Sequence, residues 1–452
     1  MGNGHPADVT AQTLARRIDR RRLVQGSAAL GLSAAVSGPF LRRTASAQGQ
    51  VTVEFWNPEV EDYFLKVLGD VIADFEKANP TIKVNLVNIP WGDIYPKFVA
   101  AVESGNVPDV ALANVVYGGS LNRLGALNPL DDVIAALGGE EEYFAPSAAS
   151  FVQMNKSNGS FYAFPNVHNS VVLWYRKDLL AKTNLAVPKT WDELLAAAEA
   201  LTKDGIYGIL TTASKSHVTD QGFYSLMLSN GAEVLDHKTG QQNIFDRPNT
   251  VEALDFYKAL SKFSPPGASG YDRPEAQAAM TTGKIAMFVY GSWLGGALQA
   301  AGPEVFQQFG AAAVPTKNGK GAFMGNSSFV SFKKGKHTAE GKKFIQFLMT
   351  AENYIRFLPA NPPGYIPVIK SVWDNPAYKD DERIKAFQEV IEASRAGLAD
   401  AWINFVPNPH AGELEGLHVL SDVASPVVLG DKDSATSVKE GAARIQQLIS
   451  KA

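Results

Sequence analysis

Hydrophobic and polar residues follow two different periods in the part of the chain after residue 50. Alternation with a period of two predicts strands over 51–55, 82–87 and 109–113. Apolar residues at helical spacing predict helices over 63–79 and 91–105, between those strands. Strands and helices that alternate with short turns are typical of a parallel sheet covered by helices. The sequence therefore predicts an α/β fold.

Polar and aromatic side chains follow two of these strands. Asn57 and Glu59 come directly after the first strand, and Asn114 and Tyr117 follow the third. Ligands of parallel sheets bind beyond the carboxyl ends of the strands, which meet at one edge. We therefore expect these four residues, together with Trp56 at the end of the first strand, to lie on one rim of a binding site.

The stretch 159–180 joins two apolar runs through a short polar segment, 166–170. Amide and imidazole groups in such a segment either satisfy buried backbone or point at a ligand. We interpret the segment as the floor of a cleft; the alternative is an ordinary loop before a strand.

The second half of the chain repeats the alternation of strands and helices. Strands are predicted over 206–212 and 285–290, and the second of these runs into Ser292 and Trp293. A helix is predicted to start at Thr190, because Glu193 three residues later completes a capping box. These elements suffice for a second α/β unit.

The first 47 residues differ in composition from the rest of the chain. They are strongly basic, with a net charge of +5, and the uncharged run 26–41 is followed by a small-x-small site that ends at Ala47. That order is typical of a secretory signal peptide. The segment 20–24 resembles the twin-arginine export motif, although Asp19 occupies a position usually held by Ser or Thr. We expect a signal peptide over 1–47, cleaved after Ala47, and delivery to a periplasm.

Charge and cysteine content exclude several classes of partner and chemistry. The net charge is −4 for the whole chain and −9 for 48–452, which disfavours nucleic acid and anionic membrane surfaces. The chain contains no cysteine, so disulfides, thiolate metal sites and cysteine nucleophiles are excluded. No run after residue 47 is long and apolar enough to span a membrane.

The sequence contains no recognisable catalytic motif. Its seven His residues lack metal-ligand spacing, and no phosphate-binding loop or nucleophile elbow follows a strand. We therefore expect a binding protein without cofactor or metal, and no enzyme. Two alternatives stay open. The first is a secreted carbohydrate-active enzyme that uses Glu59 or Asp220, and the second is a binder of a non-sugar solute such as a metal ion or a polyamine.

Aromatic side chains recur where predicted strands end, at Trp56, Tyr117, Trp293 and Tyr365. The C–H faces of a sugar pack on indole and phenol rings, and its hydroxyls bond to amides and carboxylates. The pattern therefore indicates a carbohydrate site. Four other tryptophans are assigned to core packing, because tryptophan is highly buried on average: Trp91, Trp174, Trp191 and Trp373.

Short motifs occur in a fixed order along the chain: Phe55-Trp56, Gly105-Asn106-Val107-Pro108-Asp109-Val110, Gly125-Ala126-Leu127-Asn128-Pro129-Leu130, Trp174-Tyr175-Arg176-Lys177-Asp178, Pro188-Lys189-Thr190-Trp191-Asp192, Gly283-Lys284-Ile285-Ala286-Met287, Gly291-Ser292-Trp293 and Gly364-Tyr365-Ile366-Pro367-Val368. In this order they resemble the sugar-type extracellular solute-binding proteins of ABC transporters, the family that includes the maltose- and glycerol-3-phosphate-binding proteins. Each motif is degenerate alone, and the shared order is specific. The resemblance covers essentially all of residues 50–450.

This resemblance implies a type II periplasmic binding protein fold, in which hinge strands join two α/β lobes around a ligand cleft. It implies lobe 1 over 48–165 plus 309–349 and lobe 2 over 166–308 plus 350–452. Carried over position by position, the ligand contacts of the family fall on Asn57, Glu59, Asn114, Tyr117, Asn169, Gln221, Tyr224, Ser292, Trp293, Asn326, Ser327, Tyr365 and His410.

The implied function is that of the periplasmic component of an ABC importer. It would bind a neutral carbohydrate, such as a mono- or oligosaccharide, polyol or glycoside, and deliver it to the membrane permease as a monomer. Two departures from the binding residues of the family narrow the class of ligand. Asn169 stands where the maltose binder has a carboxylate, which argues against maltose. The phosphate-binding arginine of the glycerol-3-phosphate branch has no counterpart near His410, which argues against a phosphorylated polyol.

Overall fold

The computed structural model describes residues 49–145, 148–236, 239–319, 321–362, 364–373, 375–388, 400–401 and 410–450. The signal peptide predicted over 1–47, its twin-arginine segment and its cleavage position lie outside these residues.

The strands of the described residues are β1 (Val51–Asn57), β2 (Ile82–Asn88), β3 (Val110–Asn114), β4 (Lys156–Ser157), β5 (Ser160–Phe161), β6 (Phe164–Arg176), β7 (Met287–Gly291), β8 (Phe309–Ala312), β9 (Phe323–Ser331), β10 (Ile366–Pro367) and β11 (Asp400–Ala401). Two short 3₁₀ helices cover Ala268–Gly270 and Leu358–Ala360.

The α-helices of the described residues are α1 (Asp62–Ala78), α2 (Trp91–Ser104), α3 (Val115–Arg123), α4 (Asp131–Ala136), α5 (Glu140–Tyr143), α6 (Ala149–Met154), α7 (Lys177–Thr183), α8 (Trp191–Leu201), α9 (His217–Ser229), α10 (Pro248–Ser261), α11 (Arg273–Thr281), α12 (Leu294–Ala300), α13 (Pro303–Gln308), α14 (Thr338–Leu348), α15 (Ala351–Tyr354), α16 (Lys370–Trp373), α17 (Pro376–Lys379), α18 (Glu382–Lys385), α19 (Ala411–Gly416), α20 (Val419–Leu429) and α21 (Ser434–Ile449). None of the described helices is both long enough and apolar enough to cross a membrane.

The first three strands form the predicted parallel unit. Strand β1 lies between β2 and β3 and runs parallel to both. Strand β9 then pairs antiparallel with β3, so the sheet as a whole is mixed. The α/β prediction is confirmed, and the parallel arrangement holds for β1, β2 and β3.

Strand β6 is one continuous strand of thirteen residues. Its first part, up to Ser170, pairs with β9, and its second part, from Val171, pairs with β7 and β8. The segment 166–170 therefore lies within a strand, and the alternative of an ordinary loop before a strand does not apply. The backbone of this polar segment is satisfied by the β9 ladder, with one irregularity between Pro165 and Val167.

Helices cover the two ends of this strand system separately. Helix α14 packs on β1 and β3, α1 packs on β2, and α2 and α3 pack together. Helix α9 packs on β7 and contacts α10, α11 and α20, and α21 packs on α10 and α20. We call the first group, with β1, β2 and β3, the β1–β3 side. We call the second group, with β7 and β8, the β7–β8 side.

Elements after α14 pack on both the β1–β3 side and the β7–β8 side. The 3₁₀ helix Leu358–Ala360 contacts α1, α16 contacts α5, and β10 pairs with β6 at His168. Helix α19 packs on α2 and α3, whereas α20 packs on α9. The lobe boundaries drawn from the resemblance stay a prediction.

The strand predicted over 206–212 is reduced to two isolated bridges, Tyr207 to Ile285 and Leu210 to Phe288. Side-chain hydroxyls bond its backbone in place of a ladder. Thr202 accepts from the Gly208 amide at 2.9 Å, and Ser264 accepts from the Thr211 amide at 2.9 Å. Ser and Thr side chains that bond nearby backbone compete with regular sheet pairing.

Candidate functional site

A cavity of about 710 Å³ lies between the β1–β3 side and the β7–β8 side. The β1–α1 loop, the start of α2 and the β3–α3 junction line it on one side. The starts of α9 and α11 and the end of β7 line it on the other side. Strands β6 and β9 also contribute lining residues. Strand ends and helix starts thus meet here, as expected for a ligand site of an α/β fold.

Eight of the residues expected from the sequence to contact a ligand line this cavity: Glu59, Asn114, Asn169, Gln221, Trp293, Asn326, Ser327 and Tyr365. They come from seven separate parts of the chain. Their roles in binding stay predictions.

The five remaining candidates are buried and are not among the lining residues: Asn57, Tyr117, Tyr224, Ser292 and His410. Two of them hold the cavity wall. The Asn57 amide donates to the Glu59 carbonyl at 2.5 Å and to Asn88 Oδ1 at 3.1 Å, which fixes the loop after β1. The Ser292 hydroxyl accepts from the Ser170 amide at 3.4 Å, which joins the end of β7 to β6.

Gly325 permits a close approach at the cavity floor. A Cβ atom at this position would lie 2.1 Å from Asn169 Oδ1 and 3.1 Å from Trp293 Cζ3. Any larger residue would push the amide and the indole apart. The sequence therefore needs glycine here to bring Asn169 and Trp293 to one surface.

Trp293 follows β7 and precedes α12. Its ring packs edge-on against Tyr290, with ring centroids 5.5 Å apart at 73°. The residue is only 8% exposed, yet it lines the cavity. It therefore contributes to packing and also offers a surface to the cavity. In contrast, Trp56 stacks on Phe98 at 5.9 Å, and it is not among the lining residues.

Arg273, at the start of α11, makes a charged contact between the two sides. Its Nη2 lies 2.7 Å from Glu61 Oε1 and 3.5 Å from Glu59 Oε2, both in the β1–α1 loop. Glu59 also accepts from Trp91 Nε1 at 3.1 Å. Burial raises the pKa of Glu59 to about 7, although the positive charge of Arg273 lowers it. We call Arg273, Glu59 and Glu61 the arginine contact.

His217, the first residue of α9, makes a second contact between the two sides. Its Nε2 lies 3.0 Å from the Tyr117 hydroxyl and 3.3 Å from Glu415 Oε1. The Asn114 amide donates to the same carboxyl oxygen at 2.9 Å. We call these four residues the histidine contact.

Burial shifts both titratable groups of the histidine contact toward their neutral forms. It raises the pKa of Glu415 to about 8, and the nearby negative charge of Asp220 makes a smaller contribution in the same direction. It lowers the pKa of His217 to about 4, with a smaller push from His418. At neutral pH the histidine contact therefore consists of a carboxylic acid beside a neutral imidazole.

Behind this contact, Asp220 anchors the segment that carries Glu415. Its carboxylate accepts from the backbone amide and the hydroxyl of Ser421, both at 2.6 Å, and lies 2.6 Å from His418 Nδ1. His418 has a φ of 55°, in the left-handed region. A non-glycine residue holds that conformation only where its surroundings enforce it. Asp220 itself does not line the cavity.

The sequence did not point to several residues of this site. Trp91, expected in the core, lines the cavity instead, whereas Trp174 is fully buried as expected. Arg273, His217 and Glu415 were not singled out. The capping-box signal at Asp272 and Glu275 marks the start of α11, and could have placed Arg273 at a helix start.

No group of three or more His, Asp or Glu side chains in the described ranges has an arrangement that could hold a metal ion. The site instead offers aromatic faces, amide groups and several carboxyl groups. These groups can bind a solute by ring packing and hydrogen bonding.

The chain was compared with known proteins. It is 26% identical over 426 residues to YcjN of Escherichia coli (strain K12), provisionally named as an ABC transporter periplasmic-binding protein, with 88% of this chain and 93% of that one covered. An ABC transporter solute binding protein from Thermotoga lettingae TMO, bound with alpha-D-tagatose, superposes with a TM-score of 0.76 at 22% identity over 89% of this chain and 100% of that chain. A sugar transporter from Arthrobacter chlorophenolicus A6 with bound laminaribiose superposes with a TM-score of 0.76 at 20% identity, over 88% and 99%.

The structural matches confirm the two-lobed binding protein fold implied by the resemblance. A family model for the bacterial extracellular solute-binding protein matches residues 57–355, which is well over half of the chain. The chain therefore belongs to the bacterial extracellular solute-binding protein family.

Proposed function

We propose that this protein is the periplasmic solute-binding component of an ABC importer and that it binds a neutral carbohydrate in the cavity between its two sides. The observation that carries the proposal is the composition of that cavity. It joins the rings of Trp293 and Tyr365 to the amides of Asn114, Asn169 and Asn326. Its volume, about 710 Å³, lies in the range of small-molecule sites.

Two buried amide groups on the cavity floor support a hydroxylated ligand. Asn169 Oδ1 and Asn326 Nδ2 have no hydrogen-bond partner among the described residues. One is an acceptor and the other a donor. A sugar hydroxyl can serve both, because it donates one hydrogen bond and accepts others. A purely apolar ligand would leave both groups unsatisfied at a cost of about 1–3 kcal/mol each.

The charges that line the cavity favour a neutral solute over a phosphorylated one. Arg273 is already balanced by Glu59 and Glu61, and Lys215 lies 2.9 Å from Asp422. Neither cation is left without a counter-charge. An anionic ligand would have to break one of these pairs.

Binding is proposed to work through hinge closure. Strands β6 and β9 run from one side to the other, and the cavity walls belong to different sides. A solute that contacts both walls stabilises the form in which they approach. The membrane permease would recognise that form. Export by the twin-arginine route, cleavage after Ala47, a periplasmic location and a monomeric state complete the proposal.

An enzymatic role would need two carboxylates facing one substrate. Of the two candidates, Glu59 lines the cavity and Asp220 is occupied by Ser421 and His418 behind it. A melting screen over a carbohydrate library tests the proposal, followed by recovery of the bound compound by chromatography. A raised melting temperature with the compound intact supports it. Conversion of the compound, or no response to any carbohydrate, would refute it.

A further inference from the structure

The histidine contact joins the two sides of the cavity at a buried position. His217 belongs to α9 on the β7–β8 side, whereas Tyr117 and Asn114 belong to the β1–β3 side. Glu415 lies on α19, which packs on α2 and α3. The Glu415 side chain is 3% exposed and that of His217 is 17% exposed. Separation of the sides would break the contact and expose both groups to water.

The charged and titratable groups around the contact come from every element packed against it. Tyr95 of α2 stacks on Tyr117 at 4.7 Å, Asp220 of α9 lies behind it, and the His217 and His418 rings meet edge to face at 4.7 Å. The charges of Asp272 and Arg273 at α11 also act on His217, and that of Lys215 before α9 acts on His418. The charge of Glu413 on α19 acts on Tyr95. Asp220 is a negative charge near Glu415, and His418 is held against Asp220.

We propose that the closed form of this cleft requires Glu415 to be protonated, with His217 neutral beside it, so that solute capture is coupled to pH. The proposal rests on the proposed function, since it concerns the closure of the same cavity. A carboxylate at this position would be a buried anion next to Asp220, and its neighbours His217 and Asn114 would not supply a full positive charge.

The direction of the pH effect follows from the two states of each group. When the sides separate, Glu415 returns toward its ordinary pKa of 4.5 and His217 toward 6.5. Between these values, closure moves one proton from His217 to Glu415, with no net exchange with solvent. Between 6.5 and about 8, His217 is neutral in both forms, so closure takes up one proton from solvent. The closed form therefore weakens as pH rises through this interval.

Glu59 of the arginine contact also titrates, and this limits the pH interval in which Glu415 can be tested alone. Burial also raises the pKa of Glu59, to about 7, so closure takes up a proton there at lower pH as well. Above pH 7 Glu59 can lower the ratio of closed to open protein by only about another twofold. From pH 7 to pH 9 this ratio is expected to fall about tenfold because of Glu415. Replacement by Gln, which mimics the neutral acid, should abolish that fall.

Two introduced cysteines can report the separation of the sides, because the chain has no cysteine of its own. Lys97 on α2 and Ala278 on α11 are exposed, and both helices start at the cavity. Spin labels on K97C and A278C would give the distance distribution by pulsed electron paramagnetic resonance, at pH 7 and pH 9. Each sample is measured alone and with saturating laminaribiose or D-tagatose. The Glu415→Gln variant is compared with Glu413→Gln, a matched change on the same helix.

The expected result is a short-distance population at pH 7 that falls at pH 9 in the parent protein and in Glu413→Gln, and falls in Glu415→Gln by no more than the roughly twofold change due to Glu59. Equal distributions at both pH values in the parent protein, a fall of the same size in Glu415→Gln, or no short-distance population in any condition would overturn the proposal. A response to the two sugars without any response to pH would leave the proposed function intact and refute the coupling. A response to pH together with no response across the carbohydrate library would refute the proposed function alone.

Discussion

The two contacts that join the sides of the cavity use different chemistry. The arginine contact places a guanidinium between two carboxyl groups, with side chains between 12% and 23% exposed. The histidine contact combines a neutral imidazole, a phenol, an amide and a protonated acid, and its Glu415 side chain is 3% exposed. The most buried carboxyl group of the two contacts, that of Glu415, is neutral, whereas the carboxyl groups beside Arg273 are more exposed.

This difference is what a cleft that opens and closes requires. Each closure removes the contact groups from water, and transfer of a charge into a buried position costs several kcal/mol. The partly exposed arginine contact keeps some hydration and a full counter-charge, so its charges are tolerated. The buried histidine contact avoids the cost because its acid and base are neutral. The difference also gives the two contacts different responses to salt and to pH.

Removal of the anchor behind the histidine contact should have the largest effect. Asp220→Ala leaves the Ser421 amide and hydroxyl, and His418 at its left-handed φ, without their common acceptor. The free energy of unfolding is expected to fall by about 3–5 kcal/mol, measured by urea denaturation. Asp422→Ala, which removes a carboxylate that is 52% exposed, is the control, and a change below about 1 kcal/mol is expected. Equal effects of the two variants would show that the anchor is not important for stability.

Loss of the indole that lines the cavity should weaken carbohydrate binding. Trp293→Ala removes the aromatic face of the cavity, and affinity is expected to fall at least about tenfold, or about 1.4 kcal/mol. Calorimetric titration with a carbohydrate from the library screen measures the change. The melting temperature should also fall, because Trp293 is 8% exposed and packs on Tyr290. Trp56→Ala, outside the cavity, should leave affinity unchanged. If both variants bind equally well, the indole does not contact the ligand.

Loss of the arginine contact should have the smallest effect, with a distinct salt response. Arg273→Gln removes the charge that opposes the raised pKa of Glu59, so this pKa should rise further. Affinity for the same carbohydrate is expected to fall by no more than about fivefold, since partly exposed ion pairs contribute about 1 kcal/mol or less. The parent protein should bind more weakly as salt increases, and the variant should respond less. A variant with the full salt dependence of the parent would exclude this role of Arg273.

Local patterns were enough to predict the parallel unit and the helix starts. The period-two alternation located β1, β2 and β3, and the Thr190 capping box forms as predicted, with Glu193 bonded back to the backbone. The continuous strand through 166–170 was not predicted, for a non-local reason. Its polar residues interrupt the flanking apolar runs, but the pairing of β6 with β9, more than 150 residues later, keeps them in one strand.

Only the site residues that lie at the ends of predicted strands could be predicted from the strand pattern. Asn114 and Glu59 were found because they follow strands whose ends meet at one edge. The two contacts were not found because their members are distant in sequence. Asn114 and Glu415 are 301 positions apart, and Glu59 and Arg273 are 214 apart. Their pairing depends on how the two sides approach, which no local spacing records.

Whether the cavity binds a carbohydrate is best tested by isothermal titration calorimetry of the parent protein with the carbohydrates that raise its melting temperature. We expect saturable heat at one site per chain, with at least about a tenfold loss of affinity in Trp293→Ala and recovery of the sugar unchanged. No saturable heat with any mono- or oligosaccharide, polyol or glycoside, or affinity that is the same in Trp293→Ala, would contradict this expectation.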